Sequence, residues 1–169
     1  DQKYATNQHI CRQYARENGI GVYDIDKGIG THVLMEEGLA WPGATAVSTD
    51  SHANILGAIG AFGQGMGDKD IAASWHNGTT WFKVPPTAKI VFEGHAGVHI
   101  SAKDMVLNML AHFGASSLLG FAIEVEGEMV DLLSLDQRIT ISSMATEMGA
   151  IIILFPPNKE VIRYCESRV

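Results

Sequence analysis

The sequence predicts an α/β protein with largely parallel sheets, and three observations carry that expectation. Short apolar strands alternate with amphipathic helices along nearly the whole chain. Eighteen glycines and only 8% aromatic residues suit tight strand-to-helix turns. With 169 residues, 46% of them hydrophobic, the chain can bury one sizeable core or two small ones.

Residues 3–17 are expected to form a helix, with Tyr4, Cys11 and Ala15 on one face and Gly19 as its stop. Ile20 to Ile25 has the composition of a short strand. Gly28-Ile29-Gly30-Thr31-His32 is a glycine-punctuated turn, followed by the acidic Glu36-Glu37-Gly38. Pro42-Gly43 signals another turn, and Ala44 to Ser48 a strand that ends at Thr49-Asp50-Ser51-His52. In the run Gly57 to Gly67, the small residues Gly57, Ala58, Gly60, Ala61 and Gly63 would let a helix pack very closely. A helix over Asp68 to His76 precedes Val84-Pro85-Pro86. Two prolines stop both helix and central strand, so a domain boundary is expected there, dividing residues 1–85 from 86–169.

Past that point Ala88 to Glu93, Phe121 to Val125 and Ile151 to Phe155 are expected strands. Ser101 with Asp104 resembles a capping box for a helix whose core face is Val106, Met109, Leu110 and Phe113. Asp136 to Met148 and Asn158 to Ser167 complete the helices. No sequence repeat relates the two halves.

Charge narrows the function. The net charge of −7 argues against nucleic-acid binding, which needs a basic face. No apolar run reaches the length of a membrane span, so no membrane partner is expected. The polar N-terminus lacks the build of a signal peptide. Cys11 and Cys165 are far apart and lie in no CxxC pair, which favours reduced thiols in a cytoplasmic protein over a disulfide.

Asp50 and His52 stand at the carboxyl end of an expected strand, where α/β folds place their ligands. In extended backbone, residues two apart share a side, so these two point one way and Ser51 the other. The spacing serves a capping turn equally well, because Asp-Ser-His before a helix can satisfy its first amides. On the later helix, Ile141, Met144, Ala145 and Met148 have core spacing, and Ser143 and Glu147 share a different stripe. A carboxylate near a helix end opposes the macrodipole, so Glu147 is either simply solvent-exposed or has a purpose. His95 and His99 lie in a glycine-bearing loop, which makes a helical metal pair there a poor reading. Gly63, Gly65 and Gly67 do not form a dinucleotide fingerprint.

The stretches GIGTHVLMEEGLAWPGATAVSTDSHANILGAIGAFGQGMGDKDIA, WFKVPPTAKIVFEG and ITISSMATEMGA resemble the aconitase and 3-isopropylmalate dehydratase large-subunit superfamily. The most specific part is Thr49-Asp50-Ser51-His52, with His32 eighteen residues before Asp50 and Glu147 ending the helix motif. The resemblance implies an aconitase-like three-layer α/β/α fold. It implies a hydro-lyase that removes and returns water on a hydroxy di- or tricarboxylate, with a [4Fe-4S] cluster as Lewis acid. Carried over residue by residue, His32 would pair with Asp50 and His52 with Glu147. Hydroxide is a poor leaving group, and a histidine held by a carboxylate is suited to protonate it. Ser51 would donate to a substrate carboxylate, and Ser143 would support the cluster from behind its ligands. His32-Val33-Leu34-Met35-Glu36-Glu37-Gly38 inclines the match toward the isopropylmalate enzymes.

The match also has gaps. The family's cluster cysteines, one and then a CxxC, have no counterpart in the contexts of Cys11 or Cys165, so no metal ligand is expected in this chain. Its third acid pair and its substrate-clamping arginines are missing, and none of Arg12, Arg16, Arg138, Arg163 and Arg168 lies in the glycine-rich centre. Ser143 stands where the family has asparagine, and Ala53 where threonine is common. The implied partners are the cysteine-bearing remainder of the large chain and a small subunit or swivelling domain. The competing expectation is a cluster-free domain of the same fold, used in binding or assembly.

Overall fold

A computed structural model describes residues 2–168. Helix α1 (Gln2–Glu17) runs into an irregular segment and then α2 (Gly30–Glu36). Strand β1 (Thr45–Ser48), the central 3-10 helix Ser51–Ile59 and β2 (Phe62–Gly65) form one crossover unit, with β1 and β2 parallel and Ser48 opposite Gly65. Helix α3 (Asp68–Asn77) follows. Strands β3 (Thr87–Val91), β4 (Ala122–Glu126) and β5 (Ile152–Leu154) make a second parallel sheet with β4 in the middle. Helices α4 (Ala102–Phe113), α5 (Glu128–Leu132) and α6 (Leu135–Ser142) connect these strands. The 3-10 turn Thr146–Met148 leads into β5, and α7 (Lys159–Glu166) closes the order. The expected α/β class with parallel sheets is the observed one.

Two apolar clusters hold these elements. One packs Val106 and Met109 of α4 against Ile123, Val125 and Ile153 of the sheet and against Ile141, Ala145 and Met148. The other gathers Ile55, Leu56 and Ile59 of the central helix with Met35, Ala40, Ala61 and Val161. Burying each of the larger of these side chains stabilises by about 2 kcal/mol relative to exposure. The expected boundary at Val84-Pro85-Pro86 falls between the two sheets, although α7 contributes Val161 to the core of the first half.

The central helix fixes the site, and glycine lets it sit where it does. A Cβ on Gly57 would overlap the Ile153 carbonyl oxygen, and one on Gly63 would overlap the Ala53 carbonyl oxygen. Backbone therefore packs on backbone on both sides, and the Phe155 amide donates to the Gly57 carbonyl at 2.9 Å. The small-residue run thus gives close packing, but as a helix end followed by a strand. Gly60 at φ 74° ends the helix, and β2 occupies Phe62–Gly65, where only a helix was expected. Two glycines in that four-residue strand hide its signal.

Other elements differ from expectation for local reasons. Ile20–Ile25 forms no strand: Arg12 holds Asp24 in a bidentate pair at 2.6 and 2.7 Å against α1, and no neighbouring strand offers a ladder. The turn expected at residues 28–32 becomes the start of α2. The helix expected over Asp136–Met148 breaks after Ser142. There Ser143 Oγ donates back to Thr140 O at 2.8 Å and Ser142 Oγ to Ile153 O at 3.1 Å. α6 opens with a second capping box, Ser134 with Gln137. The expected box of Ser101 and Asp104 is present, and the hydroxyl and amide of Ser101 hold the Asp104 carboxyl below its ordinary range.

Candidate functional site

Strand β1 delivers the chain to the turn Asp50-Ser51-His52 at its carboxyl end, and the central helix starts there. Asp50 caps this helix: its Oδ1 accepts the His52 amide at 2.9 Å. The capping reading and the functional one therefore coexist, since the same carboxylate also stands 3.7 Å from His52 Nδ1. Ser51 Oγ lies 3.2 Å from that same ring nitrogen. On the far side of the ring, His52 Nε2 is 3.7 Å from Glu147 Oε1. The imidazole thus sits between two carboxylates contributed by segments far apart in sequence.

Glu147 reaches this place from the 3-10 turn Thr146–Met148, whose Met148 is fully buried while Glu147 faces out. The side chains of His52, Asp50 and Glu147 are 48%, 39% and 40% exposed, which leaves the ring accessible to an incoming molecule. Two hydrogen bonds tie the turns together. Asn54 Nδ2 donates to Thr146 Oγ1 at 2.8 Å, and Thr146 Oγ1 donates to the Ser51 carbonyl at 3.2 Å. Asn54 and Thr146 were not found from sequence, because 92 residues separate them and neither carries chemistry of its own.

His32 is placed differently. It lies on α2, along a cleft lined by Glu36, Asp136, Tyr164 and Arg168, and its side chain has no hydrogen bond or ion pair among the described residues. The expected pairing of His32 with Asp50 is not formed, because the Asp50 carboxylate is turned to the His52 amide and ring. Thr31 beside it is buried with its hydroxyl unpartnered.

Ser143 directs its hydroxyl to the Thr140 carbonyl. Arg138 is fully buried, donating to the carbonyls of Leu133, Val130 and Pro156 at 3.1, 2.8 and 2.7 Å. Its guanidinium lies over the Phe155 ring, and burial lowers its pKa while Asp131 and Glu160 raise it. Cys11 is exposed on α1, and Cys165 is half-buried beside Trp41, with its thiol pKa pushed up by burial. Among the described residues no three His, Cys, Asp or Glu side chains converge as metal ligands, and no helix is long and apolar enough to cross a membrane.

Comparison with known proteins gives consistent matches. The model of the aconitase family (aconitate hydratase) matches residues 1–169. The chain is 36% identical over 168 residues to a mitochondrial homoaconitase of Debaryomyces hansenii, covering 99% of this chain and 24% of that protein. It is 40% identical over 170 aligned positions to a 3-isopropylmalate dehydratase large subunit of Halothermothrix orenii, covering 99% of this chain and 40% of that protein. A Chaetomium globosum mitochondrial homoaconitase is 40% identical over 145 residues, covering 85% of this chain and 18% of that protein. The chain thus spans well under half the length of these relatives.

Proposed function

The chain belongs to the aconitase family, and from that premise we propose that it carries the proton-handling part of a hydro-lyase site. The reaction is loss and return of water on a hydroxy di- or tricarboxylate. Of the two enzyme types among the relatives, the reading favours the 3-isopropylmalate dehydratase large subunit, supported by the segment from His32 to Gly38. Homoaconitase is the competing assignment.

One observation carries the proposal: the His52 ring lies between Asp50 and Glu147, and its side chain is 48% exposed. A departing hydroxyl needs a proton. An imidazole with a carboxylate behind it has the tautomer and orientation to supply one, and to take it back when water returns. At 3.7 Å the His52–Glu147 contact is an ion-pair distance, longer than a hydrogen bond. The Nε2 proton is therefore not committed to Glu147 and can pass to the departing hydroxyl. Asp50 would orient the ring from its Nδ1 side. Ser51 Oγ, now 3.2 Å from that nitrogen, would turn to a substrate carboxylate. His32 belongs to this set by its place in the motif, and the contacts support it least.

The family implies a [4Fe-4S] cluster that would act as Lewis acid on the substrate hydroxyl. The residues of this chain do not fit as its ligands: Cys11 and Cys165 lie on α1 and α7, and neither adjoins the turn at residues 50–52. We place the ligands, and the arginines that clamp the substrate, in other parts of the large chain, completed by a small subunit or swivelling domain. The two unpaired thiols support a reducing compartment, and we propose the cytoplasm; the mitochondrial homoaconitases make the matrix its rival.

A second reading, a cluster-free domain used in binding or assembly, draws on Ser143, whose hydroxyl is engaged by its own helix. Anaerobic purification of the intact protein separates the two. The hydro-lyase reading expects iron and sulfide together with conversion of 3-isopropylmalate or homoaconitate. Absence of both iron and turnover would overturn the hydro-lyase reading.

A further inference from the structure

Thr146 precedes Glu147 in the short turn between α6 and β5, and its hydroxyl is engaged on both sides. It accepts from the buried Asn54 amide at 2.8 Å and donates to the Ser51 carbonyl at 3.2 Å. Both partners flank His52 in the chain. Asn54 is itself held in the core, 1% exposed, on the helix wedged between β2 and β5. The direction of donation runs one way, from Asn54 through Thr146 to the Ser51 carbonyl, so one hydroxyl fastens the turn bearing Glu147 to the turn bearing His52.

We propose that Thr146, seated by Asn54, is the positioning residue that sets the distance between Glu147 and His52. The inference rests on the functional reading of that pair. Asp50 and Glu147 face the ring from opposite sides. Asp50 is already fixed by capping the helix, whereas Glu147 is 40% exposed and has no hydrogen bond of its own among the described residues. What restrains Glu147 is therefore its backbone, and the hydroxyl next to it in sequence is that backbone's link to the His52 turn. A threonine methyl without the hydroxyl would fill the same space and leave the two turns unfastened.

The test uses the intact protein labelled with ring-15N histidine and reads the His52 ring nitrogens in Thr146→Val, Thr146→Ser and Glu147→Gln. Valine keeps the shape of threonine, and thermal melts confirm that each variant is folded. The proposal expects Thr146→Val to displace the His52 signals in the same direction as Glu147→Gln, and Thr146→Ser to restore the parent signals. Parent-like signals in Thr146→Val, with Glu147→Gln still displaced, would overturn the role of Thr146 and leave the His52–Glu147 pair standing. Parent-like signals in Glu147→Gln would overturn the pair and the positioning role with it.

Discussion

His52 and His32 start from similar positions in sequence, each close to the beginning of a helix, yet they end in different circumstances. His52 opens a helix capped by Asp50, buried from Ala53 to Ile59 and hydrogen-bonded to a turn 92 residues away. His32 opens a short helix whose capping position is Ile29, with no side-chain bond, and its side chain has no hydrogen-bond or ion-pair partner among the described residues. Neutral hydrogen bonds and close backbone packing, rather than opposite charge, separate the two. A carboxylate is near both, Glu147 and Glu36, but only the first is brought to the ring by a supported backbone.

The strongest way to break this contrast is to disturb the support under His52. Gly57→Ala places a methyl into the Ile153 carbonyl and should cost about 3 kcal/mol or more, on the order of 10 °C in Tm. Gly30→Ala at the start of the His32 helix meets nothing within 4 Å and should leave Tm within a degree or two, or raise it slightly. Equal losses would show that the two helices are equally supported. A smaller effect follows at the caps. Asp50→Ala should cost about 1 kcal/mol, while Ile29→Asp should stabilise by about 0.5–1 kcal/mol, both read by denaturant unfolding.

The smallest effect concerns the segment before His32. The Arg12 guanidinium, and then the Ile25 amide, lower the Asp24 carboxyl to about 2. The folded value lies below the ordinary carboxylate value of about 4, so this pair contributes fully above that pH and is lost as pH falls toward 2. Asp24→Asn should therefore weaken the docking of α1 slightly at neutral pH and flatten the loss of helical circular dichroism on acidification. Both side chains are partly exposed, and salt should shrink the difference.

The sequence revealed whatever depends on local chemistry. The capping box at Ser101 and Asp104, the strands around Ile90, Ile123 and Ile153, and the core stripe of Ile141, Ala145 and Met148 all depend on spacing within a few residues. It hid what depends on partners. Phe62–Gly65 is a strand because β1 lies beside it, and Ile20–Ile25 is not one because no strand among the described residues pairs with it. The turn Asp50-Ser51-His52 was legible as a capping turn, whereas Asn54 and Thr146 became visible only when the fold brought residues 54 and 146 together. The pairing of His32 with Asp50, expected from the motif, has no counterpart in the contacts of either residue.

The measurement that bears most directly on the proposed role of His52 is the turnover of the intact protein on the hydroxy acid it converts, comparing His52→Gln, Glu147→Gln and His32→Gln at unchanged iron content. The account predicts a fall of about 100-fold or more for His52→Gln, a clear but lesser loss for Glu147→Gln, and the mildest loss for His32→Gln. Turnover in His52→Gln equal to the parent, or a loss confined to His32→Gln, would contradict it.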